Sequence, residues 1–132
     1  MSFNFGAVLA VFLAGSAAPG DSGSATPAGI HALSPVIAPA AVKALIAKSA
    51  KFVLVDVRQP EEFAAGHIDG AVLMPLGAIE KSYRTLPKDT KLVVYCRSGH
   101  RSAQAVAFLL AHGYGRAVSL DGGFVAWSAL PQ

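Results

Sequence analysis

At 132 residues, 53% of them hydrophobic and only 14% charged, the chain has room for one compact domain plus a short appendage, and its composition excludes a disordered protein. The net charge is +3 without dense basic runs, which excludes the usual kind of nucleic-acid-binding surface. A single cysteine, Cys96, excludes an internal disulfide and a relay between two thiols, and the scattered His31, His67, His100 and His112 lack the spacing of structural zinc ligands.

Residues Phe3 to Ala18 are almost unbroken apolar and small, and P-G-D-S-G-S-A-T-P-A-G follows as a low-complexity tract. The pattern predicts a signal-like leader over residues 1–18, with Ala14, Gly15, Ser16 and Ala17 offering cleavage positions, and a flexible linker over 19–30. No Lys or Arg precedes the run. As a helix it reaches roughly 24 Å, short of the roughly 30 Å of a bilayer core. The expectation is an exported or periplasmic protein that meets a membrane only if the leader is retained; a cytoplasmic protein with an apolar N-terminus is the alternative.

The domain is expected over residues 31–132. Pro39 opens a short helix that sets Val42, Leu45 and Ile46 on one face. Phe52 to Val57 is a continuous apolar run interrupted by one acid, the pattern of a strand buried on both faces. Pro60 begins a second helix with Glu61 and Glu62 in its first turn, ending at Gly66. A short strand is predicted over Ala71 to Met74, a helical stretch over Ile79 to Leu86, and a second apolar strand over Lys91 to Tyr95. The longest helix runs from Arg101 to His112, followed by a strand over Arg116 to Leu120, a Gly122–Gly123 turn and a last helix over Phe124 to Ala129. Strands alternating with helices predict an α/β domain, an open and mainly parallel sheet of about five strands with helices on both faces.

The stretch that carries chemistry is V-V-Y-C-R-S-G-H-R-S-A, Val93 to Ala103. Cys96 follows a buried strand, where α/β sheets bind ligands beyond the strand ends. The loop must turn sharply before the next helix, and Gly99 is the residue able to take a positive φ. A tight loop feeding a helix N-terminus points successive backbone N–H groups at one centre, a nest that favours a thiolate over a thiol. Arg97 and Arg101 add positive charge, and between Asp89 and Asp121 the charged residues are Lys91, Arg97, Arg101 and Arg116, with no acid among them. Burial alone accounts for a cysteine; it does not account for the Arg, Ser, Gly, Arg and Ser around it.

Three segments, in order, resemble the rhodanese homology domain: D-V-R-Q-P-E-E-F-A-A-G-H-I-D-G-A (Asp56 to Ala71) with Met74–Pro75 after it, C-R-S-G-H-R-S (Cys96 to Ser102), and L-D-G-G-F-V-A-W (Leu120 to Trp127). The resemblance implies a sulfurtransferase of the single-domain rhodanese, thiosulfate sulfurtransferase-like type. Cys96 would take the outer sulfur of a thiosulfate-like donor as a persulfide and pass it to cyanide, a thiol or a sulfur-accepting protein, a double displacement through a covalent intermediate. Arg97, Ser98, Gly99, His100, Arg101 and Ser102 would bind the donor and the persulfide, with Arg97 orienting the anionic donor. No metal and no organic cofactor is implied. Cysteine phosphatases of related loop design carry one residue more between cysteine and arginine than the four here, which sets a phosphatase or arsenate-reductase reading behind sulfur transfer. A persulfide carrier or protein-interaction module with incidental turnover is the other alternative.

Around the loop, two roles are open for Asp56 and Arg58: steadying the cysteine loop, for example by an Asp56–Arg101 contact, or fixing their own turn by pairing with each other. His67 is expected as a partly buried histidine bonded to backbone at a turn rather than as a general base. His100 either shapes donor access or is a solvated side chain at a helix start. Gly122, Gly123 and Trp127 read as packing elements.

Overall fold

The computed structural model describes residues 34–131; the leader over 1–18 and the linker over 19–30 lie outside the described residues. Elements in chain order are β1 (Val36–Ile37), α1 (Pro39–Ala47), β2 (Phe52–Asp56), α2 (Pro60–Ala65), β3 (Val72–Leu73), α3 (Ile79–Ser82), β4 (Lys91–Tyr95), α4 (His100–Ala111), β5 (Ala117–Leu120) and α5 (Gly123–Ser128), with single 3₁₀ turns on either side of α3. The sheet has five strands in the order β1-β5-β4-β2-β3, and every pairing is parallel.

Strand alternation distributes the core. Val55, Val57, Leu92, Val94 and Cys96 face α3 and α4, where they meet Ile79, Ala105, Val106 and Leu109. Leu54, Val93, Tyr95 and Leu120 face the other way, against Val42 of α1 and Phe124 and Trp127 of α5. Helices therefore cover both faces, and the continuous apolar runs of β2 and β4 follow from burial on both sides. Each fully buried Val or Leu contributes roughly 1.5–3 kcal/mol relative to exposure. The parity that aims Tyr95 toward α5 also aims Cys96 beneath the start of α4.

The sequence pattern identifies four of the five strands individually. The fifth, β1, is two residues between Pro35 and Pro39, too short for any periodicity, with Val36 largely exposed. Its strand character comes from its neighbour: the Ser119 amide donates to the Pro35 carbonyl at 2.9 Å, and the Asp121 amide to that of Ile37 at 2.9 Å. The expected helical stretch over Ile79 to Leu86 is α-helical only to Ser82 and tightens to 3₁₀ over Tyr83–Thr85 before Pro87.

After β2 the chain steps outward to β3, and β4 then pairs on the opposite side of β2. The carboxyl ends of β2 and β4 thus flank the crevice where strand order reverses, the usual ligand position in such sheets. Asp56 and Tyr95 are register partners there.

Candidate active site

Cys96 leaves the end of β4 buried, 1% exposed, and the loop Arg97–Gly99 wraps around its sulfur. Gly99 has φ 114° at the N-terminal boundary of α4, the left-handed turn expected of it. That turn brings the Gly99 N–H to 3.0 Å from Cys96 Sγ, and the Ser102 N–H, from the first turn of α4, to 3.4 Å. The Ser102 hydroxyl lies 3.6 Å from the same sulfur. Burial pushes the thiol pKa up, but the hydrogen bonds from the Ser102 backbone and hydroxyl and from the Gly99 and Ser98 N–H groups outweigh it, and the net direction is down. The oriented amides, in place of solvent, favour the thiolate over the thiol.

The remaining loop side chains divide. Arg97, Ser98 and His100 are exposed; the Ser98 hydroxyl lies 3.4 Å from His100 Nδ1. Arg97 makes no ion pair among the described residues. Arg101 forms a two-pronged pair with Glu62 of α2, Nη1 to Oε2 at 2.9 Å and Nη2 to Oε1 at 3.1 Å, and still interacts electrostatically with Cys96. The Arg101 hydrogen bond, aided by one from the Gln59 N–H, holds the Glu62 carboxyl down at about 2 despite partial burial.

Between the two roles open for Asp56 and Arg58, the structure decides for mutual pairing, and the contact suggested between Asp56 and Arg101 is not made. Arg58 Nη2 meets Asp56 Oδ2 at 2.7 Å, Nε reaches both carboxylate oxygens, and the Arg58 N–H donates to Oδ1 at 2.9 Å. The physical reason is reach: both residues leave the end of β2 two positions apart, while Glu62 offers Arg101 an acceptor already fixed in the first turn of α2. Arg58 also donates to the Gly66 carbonyl at 2.7 Å and lies 4.6 Å from the centre of the Phe124 ring. Asp56 and Arg58 thereby brace α2 and α5 around the crevice.

His67 bonds the Phe63 carbonyl through Nδ1 at 2.9 Å and stacks on the Phe63 ring, as a backbone-bonded turn residue would, but it is exposed rather than partly buried. Gly123 does more than pack. Its φ is 62°, and a Cβ there would lie 2.5 Å from the Arg97 carbonyl oxygen and 2.6 Å from that of Cys96. The missing side chain lets α5 dock its first N–H groups onto the cysteine loop, Phe124 N–H to the Cys96 carbonyl at 2.8 Å and Val125 N–H to that of Arg97 at 3.1 Å. The glycine pair after a buried strand is the sequence signal for such an approach; Glu62 and Ser119 carry none, because their partners lie far along the chain.

Beside the loop, a cavity of about 250 Å³ is lined by Arg58, Glu62, Ala65, Gly66, Arg97, Phe124 and Val125. Two of its charged residues are already neutralised, Arg58 by Asp56 and Glu62 by Arg101, so Arg97 supplies the uncommitted charge at its wall.

A nest of N–H groups around a cysteine sulfur at a strand end, this loop and this sheet order coincide with a match of residues 38–130 to the rhodanese-like domain model. The chain belongs to the rhodanese-like domain family. Similar proteins include a sulfurtransferase of Allochromatium vinosum, 45% identical over 83 residues covering 63% of this chain and 78% of the relative. The thiosulfate sulfurtransferase GlpE of Pseudomonas entomophila is 37% identical over 91 residues, covering 69% and 82%. Among solved structures, the human single-domain sulfurtransferase TSTD1 superposes with a TM-score of 0.68 at 26% identity, covering 75% of this chain and 99% of that one. The match to the domain model covers four of the five strands and the whole Cys96 loop.

Proposed function

We propose that this chain is a sulfurtransferase that moves sulfane sulfur from a thiosulfate-like donor to a nucleophilic acceptor through a persulfide on Cys96. The observation that carries the reading is the buried Cys96 sulfur accepting the Gly99 and Ser102 N–H groups at 3.0 and 3.4 Å, with its pKa lowered. A preformed thiolate needs no general base, in keeping with the absence of any titratable side chain bonded to the sulfur among the described residues. In the first step the Cys96 thiolate attacks the outer sulfur of thiosulfate; the Sγ–S bond forms, the S–S bond of the donor breaks, and its electron pair leaves with sulfite. In the second, cyanide or a thiolate attacks the terminal persulfide sulfur, and the pair of the breaking bond returns to Cys96 as thiolate. A low thiol pKa serves both steps, since Sγ is nucleophile in one and leaving group in the other. Arg97, at the wall of the neighbouring cavity and without an ion pair among the described residues, would attract the donor's anionic end.

The test is the intact mass of the full chain before and after thiosulfate, with small reductants removed. The expected result is a gain of one sulfur atom, lost on adding cyanide and absent in Cys96→Ser. No gain from a thiol that alkylates readily would overturn thiosulfate as donor and favour sulfur delivered by another protein. A pH profile of alkylation should also show Cys96 reactive below the range of a free thiol.

A further inference from the structure

Ser119 occupies a position where an apolar residue is the rule. It lies on β5, a central parallel strand of sequence A-V-S-L, and is 2% exposed. A buried hydroxyl costs stability unless it is hydrogen-bonded. Its hydroxyl has one hydrogen-bond partner among the described residues, the equally buried Ser102 hydroxyl at 2.8 Å. Ser102 Oγ has two further neighbours, the Gly99 carbonyl at 3.2 Å and Cys96 Sγ at 3.6 Å.

We propose that Ser119 is a positioning residue whose buried hydroxyl donates to Ser102 and so directs the single Ser102 hydroxyl proton onto the sulfur of Cys96. The argument is proton counting. Ser102 Oγ carries one hydrogen and faces three possible acceptors: the sulfur, the Gly99 carbonyl and Ser119 Oγ. The carbonyl and a thiolate can only accept. If Ser102 donates to Ser119, the thiolate loses its hydroxyl donor and the Ser119 hydrogen is left without an acceptor in a dry core. If Ser119 donates to Ser102, its own hydrogen is satisfied and the Ser102 proton is left to the Gly99 carbonyl at 3.2 Å and the sulfur at 3.6 Å, of which a charged sulfur is the stronger acceptor. When Cys96 is protonated, the direction reverses at the sulfur end, because the thiol can then donate to Ser102 Oγ. The hydroxyl pair is therefore coupled to the charge on Cys96 and favours the thiolate that begins the proposed first step and leaves in the second. This inference rests on that reading only for its role in turnover; the thiolate itself can be measured without any sulfur donor.

The experiment is the rate of iodoacetamide alkylation against pH in the full chain, with thiolate absorbance at 240 nm as a second readout. Ser119→Ala is expected to move the profile to higher pH and to slow alkylation below the midpoint by roughly fivefold, about the bias of one hydrogen bond. Ser119→Thr, which keeps the hydroxyl, should restore much of the rate. In a Ser102→Ala background the Ser119→Ala effect should vanish, because the relay is already cut. Urea unfolding confirms that each variant is folded where it is assayed. An unchanged profile in folded Ser119→Ala, or an equal shift with Ser102 present and absent, would overturn the proposal while leaving the sulfurtransferase reading intact.

Discussion

Two arginine–carboxylate pairs flank the cysteine crevice, and they share chemistry but little else. Asp56 and Arg58 are two positions apart at the end of β2, with side chains 0% and 5% exposed, and Arg58 also donates to the Gly66 carbonyl and lies over the Tyr95 and Phe124 rings. Glu62 and Arg101 are 39 positions apart, join α2 to α4, and keep about a third of their side chains in solvent. The first pair is a brace whose charges have nowhere else to go. The second is a clasp that either partner can leave for water. Burial, rather than the number of hydrogen bonds, decides which pair the fold depends on.

That contrast is open to direct attack. The largest effect should come from Asp56→Ala, which leaves the buried Arg58 guanidinium unpaired; urea unfolding should show a loss of about 3–5 kcal/mol. A loss below about 1 kcal/mol would put the buried pair on the same footing as a surface one. Gly123→Ala tests the other support of the loop. The clash with the Cys96 and Arg97 carbonyls, added to a positive φ, should cost about 1–3 kcal/mol and slow Cys96 alkylation in the protein that remains folded. Glu62→Gln should lower stability by no more than about 1 kcal/mol, since the ions it separates are partly solvated.

The smallest effect is a pH dependence, and its sign is fixed. The Glu62 carboxyl sits at about 2 in the folded protein against an ordinary value of 4.5, so its contribution is present above pH 4.5 and is lost as pH falls toward 2. The difference in melting temperature between the parent chain and Glu62→Gln should therefore shrink across that window. A difference that grows on acidification would contradict the assignment of Arg101 as the partner of Glu62.

The sequence was informative wherever the determinant is local. The runs Phe52 to Val57 and Lys91 to Tyr95 announce doubly buried strands, and Pro39 and Pro60 announce helix starts, because period and proline geometry act over a few residues. The positive φ of Gly99 was legible for the same reason: a short loop between strand and helix admits few conformations, and glycine tolerates this one. Strand β1 was not legible, since two residues carry no period and their pairing is supplied by β5. The partner of Arg101 was not legible either. A long side chain can reach Asp56 or Glu62 with equal ease on paper, and only the docking of α2 beside α4 selects Glu62.

The sequence alone determined that this chain is an α/β domain with its single cysteine placed after a buried strand in a glycine-turned, basic loop. Those properties follow from sterics, burial period and residue chemistry within a few positions. The tertiary structure decided which contacts surround that cysteine loop: the Ser119 hydroxyl behind Ser102, the α5 N–H groups seated on the loop carbonyls through Gly123, and the pairing of Arg101 with Glu62. These contacts bring together segments 17 to 39 positions apart, and their geometry is set when helices and strands pack, a step that no local preference encodes.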